Sequence, residues 1–436
     1  VWGEMRRAVL FIYFVLALSI GAVGFVGDAF ATEVNSADTA FTLSASALVL
    51  LMTLPGLAMF YAGLVRAKNV LSVMMHCVSI AGLASVLWFI VGYSVAFDHG
   101  NALIGSLSKS FLHGVHRDSV TGSLPEIVFF LFQMTFAVIT PSLIVGAVPE
   151  RVSFPFLMIF SGLWILVVYA PVTHWVWGNG WLMALHVMDF AGGLVVHATA
   201  GTSALILAIL VGTRPGFPRE LQPPHNPGMT MIGAGMLWVG WFGFNGGSAL
   251  SASADAGMAI VVTHLSASAA CLTWMIIEWV RFKRPSMIGT VTGAVAGLAT
   301  VTPASGFVGP VAGLVLGVAG SCVCFIAVDL VKHRYKIDDS LDVFAVHGVG
   351  GIIGTLLVAI FAAPYFGGVG YAEGNSMATQ LLIQFAGVMA TMTWSGLVTY
   401  LIILVLKAIM PIRPNGDDIE EGLDLSAHGE RGYTLQ

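Results

Sequence analysis

A succession of eleven apolar runs constrains this chain more than any other feature. They lie at 42–65, 70–96, 125–147, 154–172, 189–212, 229–249, 256–280, 286–303, 308–332, 341–363 and 377–410. Each is near the roughly 20 residues that cross a bilayer as a helix. With 57% hydrophobic and only 9% charged residues in 436, the chain has too few charges to cover a soluble domain of this length. The fold class that follows is an all-α polytopic membrane protein. The net charge of -5 comes from sparse residues in loops and tail, and the basic patch that nucleic acid needs is absent from the sequence. Cys77, Cys271, Cys322 and Cys324 all sit in apolar runs, which points to buried thiols rather than disulfides or redox chemistry.

Ahead of these runs, Met5-Arg-Arg7 leads into an apolar stretch that ends near Ala29-Phe-Ala31, small residues at a cleavage spacing. Residues 1–31 therefore read as a signal peptide cleaved after Ala31, with an uncleaved first helix as the alternative. Arg66, Lys68, Arg151, Arg214, Arg219, Arg281, Lys283, Arg284, Lys332, Arg334, Lys336, Lys407 and Arg413 fall in every second loop or at the C-terminal end. Only Lys109 and Arg117 fall on the other side. By the positive-inside rule the mature N-terminus is outside and the C-terminus cytoplasmic. The chain divides into a membrane domain, 32–412, and a polar acidic tail, 413–436.

Ionisable groups inside lipid are costly and rare, and they usually mark a substrate or proton path. Two segments carry them: Asp189-Phe-Ala-Gly-Gly-Leu-Val-Val-His197 and Asp342-Val-Phe-Ala-Val-His347. They fall in the fifth and tenth runs, so spans 1–5 and 6–10 read as an inverted repeat with its pathway between the halves. Packed about a pseudo-two-fold, His197 and His347 would meet. Two neutral imidazoles, each with one donor and one acceptor, can share a proton and line a polar path without fixed charge. The plainer alternative is a pair of structural histidines bonded to backbone carbonyls. Zinc is disfavoured because no third ligand shares the context. Asp189 either caps its helix or, as a buried anion, favours a cation just outside the path. Asp342 reads as the corresponding cap on the cytoplasmic side.

Phe132 and Phe136 share one face of the third span, and Phe244 precedes the helix-breaking Asn245-Gly-Gly247 of the sixth. Such aromatics are usually packing. Trp177 reads as an interfacial anchor or as an indole face able to hold a cation, with Ser248 as a possible hydrogen-bond acceptor.

Several longer motifs run through the mature chain. They are Pro55-Gly-Leu-Ala-Met-Phe-Tyr-Ala-Gly-Leu-Val-Arg-Ala-Lys-Asn69, Asp189-Phe-Ala-Gly-Gly, Gly240-Trp-Phe-Gly-Phe-Asn-Gly-Gly-Ser248, Asp342-Val-Phe-Ala-Val-His-Gly-Val-Gly-Gly351 and Glu421-Gly-Leu-Asp-Leu-Ser-Ala-His-Gly-Glu430. With them the chain resembles the ammonium transporter (Amt/Mep/Rh) family, in its bacterial form. The resemblance implies a homotrimer of eleven-helix subunits in a bacterial plasma membrane, each subunit with its own pore and without a cofactor or metal. It implies that Trp177, Phe136 and Ser248 form an outer ammonium recruitment site, with Phe132 beside it. Phe136 and Phe244 would be a phenyl gate, His197 and His347 the twin-histidine pair, and Asp189 an essential carboxylate. It also implies that the tail contacts cytoplasmic loops and that a PII-type signal protein docks on the inner face. Ammonium would then be recruited outside and deprotonated, with ammonia crossing and the proton relayed along the histidines. An uncoupled channel for ammonia or carbon dioxide, and a sensor or transceptor, are the alternatives. An intramembrane enzyme lacks a nucleophile or metal set beside these residues.

Overall fold

The computed structural model describes residues 33–220 and 223–433, so the expected signal peptide at 1–31 lies outside the described residues. Among the described residues the fold is helical apart from a two-stranded hairpin, Val120–Thr121 against Leu124–Pro125, in the loop before the third span. Among these described residues, nine helices are long and apolar enough to cross a membrane: Ser36–Leu64, Ala67–Phe97, Glu126–Val145, Phe154–Ala184, Gly193–Val211, Ala254–Phe282, Pro310–Arg334, Val343–Phe361 and Met377–Ile409. The runs expected at 229–249 and 286–303 are helical as well, the second of them shorter. Pro227–Trp241 continues through a π-helical turn, Phe242–Gly246, and Met287–Val301 is a plain α-helix. All four cysteines are free thiols.

Polar residues set the helix starts. Asn35, Ser253, Ser286 and Ser376 each accept a backbone N–H from the first turn of the helix they precede. This satisfies a donor that lipid cannot. The Gly289, Gly293 and Gly297 spacing faces the neighbouring Ala254–Phe282 helix. A Cβ at Gly293 would stand 2.4 Å from Trp274 Cβ, and one at Gly297 2.4 Å from Ala270 Cβ. Without a hydrophobic drive between helices in lipid, this close approach is what holds them together.

Basic residues of the predicted inner loops are held by acids. Arg66 pairs with Glu150 at 2.8 Å, while Arg151 and Arg214 both bind Asp338, a wholly buried carboxylate. Burial raises the Asp338 carboxyl, but the Arg214 hydrogen bonds and the charges of Arg151 and Arg214 outweigh it and hold it below its ordinary value. The tail folds back as two short helices, Gly416–Glu421 and Leu423–His428. Leu423 N–H donates to Asn69 Oδ1 at 2.8 Å, Ser72 N–H donates to Asp424 Oδ1 at 2.7 Å, and the Tyr433 hydroxyl meets His225 Nε2 at 3.2 Å.

Candidate functional site

The fifth and tenth apolar runs do not begin as regular α-helices. Each opens with a π-helical turn, Gly193–Ala198 and Val343–Gly348, and the histidine is the fifth residue of both. A π turn inserts a residue into the i→i−4 ladder and re-aims the side chains it carries, which is why such turns gather at functional positions. The two segments cross through glycines. A Cβ at Gly201 would lie 2.3 Å from Gly348 Cα, and one at Gly351 would lie 2.6 Å from His197 Cβ. Only because these positions lack side chains do the imidazoles meet, His197 Nδ1 standing 3.4 Å from His347 Nδ1. Both rings are buried, and His197 Nε2 has no hydrogen-bond partner among the described residues.

An acid anchors each turn. The Asp189 carboxylate accepts the N–H groups of Gly192, Gly193, Leu194 and Val195 at 2.5 to 3.1 Å. On the opposite segment the expected cap, Asp342, does not cap. It sits in the left-handed region at φ 62, its side chain accepts no helix N–H, and it pairs instead with Lys332 at 2.7 Å. The cap is Asp339, which accepts the N–H groups of Val343, Phe344 and Ala345 at 2.7 to 3.3 Å. The reason is reach. Asp339 stands as far before His347 as Asp189 stands before His197, so both chains arrive at the π turn through a loop of matching length.

Aromatic rings run from the segment around Trp177 to the histidines. Trp177 lies at the C-terminal end of Ala170–Trp177, and its indole N–H donates to the Asp189 carbonyl at 2.8 Å. Its ring meets Phe136 edge-on at 5.7 Å, with Phe132 at 5.1 Å on the other side of Phe136. Phe136 and Phe244 lie at 4.3 Å, tilted by 34° rather than parallel. Phe244, in the Phe242–Gly246 turn, stacks toward His197 at 6.1 Å, and His197 and His347 stack at 5.3 Å. Ser248 is half-buried and donates to the Phe244 carbonyl at 2.8 Å, which ties it to the same turn and leaves its oxygen lone pairs as acceptors. Phe132 packs on Gly247, one residue away, where a Cβ would stand 2.7 Å from its ring.

One residue of this column carries no signal of its own in the sequence. Trp241 lies alongside both imidazoles, 5.4 Å from His197 and 6.5 Å from His347, nearly coplanar in tilt with the latter at 2°. Its N–H donates to Thr302 Oγ1 at 2.8 Å, which locks the indole in place. Beyond His347 the column opens into a cavity of ≈ 350 Å³, lined also by Asp342, Lys332, Arg214 and Ser340. No group of three or more metal-ligating side chains gathers among the described residues.

A buried, aromatic-lined column through a helical membrane protein, with a polar cavity at one end and two imidazoles along it, defines a conducting protein. The sequence profile of the Ammonium Transporter Family matches residues 40–433, and the chain belongs to that family. It is 42% identical to the ammonium transporter of Bacillus subtilis over 91% of this chain and 98% of the relative. With Amt1 of Archaeoglobus fulgidus it shares 41% over 92% of this chain and 100% of that one. Among solved structures, Candida albicans Mep2 superposes with a TM-score of 0.82 at 37% identity, covering 88% of both chains. A structure described as a Sensor Amt Protein superposes at 0.84 with 32% identity, over 90% of this chain and 98% of its own.

Proposed function

We infer that this chain, an ammonium transporter by family, carries ammonium by separating it into ammonia and a proton and conducting both. An ammonium ion in the aromatic column would lose its hydration at a cost of several kcal/mol or more. Transfer of its proton removes that cost. At the outer mouth Trp177 offers a π face and Ser248 an acceptor, while the Asp189 carboxylate, fully engaged with backbone amides, acts through its field rather than by contact. Ammonia then passes Phe136 and Phe244, whose tilted pair has to part for each molecule. The proton is taken up by the imidazole pair and returned to ammonia in the inner cavity, so ammonium is regenerated. Potassium has no proton to give up and stays outside.

The observation that carries this reading is the 3.4 Å approach of the two Nδ1 atoms inside a column otherwise lined by rings. One neutral imidazole donates and the other accepts across that distance, so the pair holds a proton path without burying a charge. Eleven spans after a cleaved signal peptide, an outside mature N-terminus, a cytoplasmic tail and a plasma-membrane trimer complete the proposal. The further helices at Pro227–Gly246 and Met287–Val301 supply spans six and eight. The docked tail on Asn69 and Ser72, opposite the predicted outer mouth, supports regulation from the inner face by a PII-type protein. Current recorded from proteoliposomes on adding ammonium, alongside the internal pH rise from ammonia, tests the mechanism. Charge movement is expected; alkalinisation without current would make the chain an uncoupled gas channel.

A further inference from the structure

The last long helix, Met377–Ile409, belongs to neither half of the repeat and places no residue in the aromatic column, yet its first turns carry two wholly buried glutamines, Gln380 and Gln384. Primary amides in lipid are expensive unless every donor and acceptor is paired. Gln384 is paired completely. Its Nε2 donates to the Met188 carbonyl at 2.7 Å and to the Thr355 carbonyl at 2.9 Å. Its Oε1 accepts Met188 N–H at 2.8 Å and Gln380 Nε2 at 3.1 Å. Gln380 in turn donates to the His186 carbonyl at 3.0 Å. Gln384 therefore grips both backbone groups of Met188 as a strand partner would, and ties them to the helix that carries His347.

Met188 is the residue before Asp189. The Asp189 carboxylate anchors the turn holding His197, and its carbonyl receives the Trp177 indole. Gly387, one turn along from Gln384, brings this helix close enough for the grip, since a Cβ there would stand 3.1 Å from both Leu194 and Val187. Leu194 belongs to the π turn itself and Val187 precedes Met188. A continuous set of hydrogen bonds thus runs from Gln384 through Met188 and Asp189 to Trp177 on one side and to the His197 turn on the other.

We propose that Gln384 is a positioning residue of the outer recruitment site, setting the Trp177 indole and the Asp189 turn through its double hydrogen bond to Met188. This rests on the reading of Trp177 as part of that site. A grip that only held the helix in the bundle could satisfy the amide on the scattered backbone groups of different residues. Bonding both backbone groups of a single residue instead fixes the rotation of the 186–189 segment, and with it the point at which the Asp189 carbonyl meets the indole.

Ammonium-evoked current against ammonium concentration, measured in proteoliposomes for the parent, Gln384→Met, Trp177→Phe and the double variant, tests this. Trp177→Phe keeps an aromatic face and removes the indole N–H. Gln384→Met is expected to raise the half-saturating concentration about threefold to tenfold, the range of one or two lost hydrogen bonds, with maximal current little changed. In the Trp177→Phe background the same change should add almost nothing, because both act on one contact. Parent-like half-saturation in Gln384→Met beside a shifted Trp177→Phe would overturn the inference. So would a loss confined to maximal current, or fully additive shifts, which describe a merely structural glutamine. If Gln384→Met does not assemble, Gln384→Asn, which keeps a neutral amide but shortens its reach to Met188, carries the same expectation. An unshifted Trp177→Phe would also overturn the inference, because the indole N–H it removes would then set nothing; an unshifted Trp177→Leu, which removes the π face, would instead overturn the recruitment-site reading.

Discussion

Asp189 and Asp339 are counterparts: each precedes a buried histidine at the same spacing, and each carboxylate closes the N–H groups that open the following π turn. Their surroundings differ. Asp189 lies against the Trp177 indole, whereas Asp339 lies near Asp342 and Lys332, which line the cavity beyond His347.

That difference gives Asp339 a pH signature. Burial chiefly, with the negative charge of Asp342, pushes its carboxyl up to about 6, against the charge of Lys332 and its own amide hydrogen bonds. The folded state then holds this proton more tightly than the unfolded chain, whose carboxyl titrates at its ordinary 3.8. Stability from this site is greatest at acid pH, falls as pH rises from about 4 to about 6, and is level above that. Asp339→Asn should remove the decline. Melting temperatures of the detergent-solubilised protein across this range check it, and equal slopes for parent and variant would contradict it.

The glycine crossing makes a second expectation. Gly201→Ala places a methyl where Gly348 Cα now stands 2.3 Å away, and backbone on both sides has to move apart. Since the imidazoles meet only because of that crossing, transport should fall more steeply than assembly. Uptake normalised to folded protein recovered by size-exclusion measures this, and unaltered uptake would detach the crossing from function.

At the Trp177 end of the aromatic column, Trp177→Leu removes the π face. Cation–π attraction is worth about 0.5 to 2 kcal/mol, so the half-saturating ammonium concentration should rise about 2- to 30-fold with assembly retained. A concentration dependence matching the parent would return Trp177 to an interfacial packing role.

For the tail, removing residues after Arg413 breaks the Leu423, Asp424 and Tyr433 contacts with the 65–72 and 223–226 loops. Transport should drop while membrane insertion persists, and a trimeric PII protein should bind the intact inner face. Full current from the truncated protein, with no PII binding to the intact one in any effector state, would remove the regulatory role.

Much of this was legible in the residues. Apolar runs separated by loops located most of the helices to within a few positions, because lipid leaves no other way to satisfy a backbone, although Ser36–Leu64 starts six residues before its run and Phe154–Ala184 continues twelve residues past its own. The starts were less exact: the fifth run begins at Gly193 rather than 189 because the Asp189 cap and Gly192, at φ 114, form a separate turn. The Asp342 misassignment came from matching Asp-Val-Phe to Asp-Phe by residue type; equal spacing to the histidines picks out Asp339. Trp241 was not legible as a neighbour of both imidazoles, since which face of an apolar helix a tryptophan packs on depends on a turn that only the folded chain shows. The Gln384 grip was hidden for a similar reason. A glutamine in a span announces that it needs partners, not that two of them will be the backbone groups of one residue nearly two hundred positions away.

Current from proteoliposomes given ammonium and then potassium pulses, in the parent and in His197→Ala and His347→Ala, tests the shared proton most directly. The parent should give current with ammonium and none with potassium, and each single variant should assemble yet lose selective ammonium current, because one imidazole cannot pass a proton to itself. Undiminished ammonium current with potassium still excluded in both variants would contradict the relay.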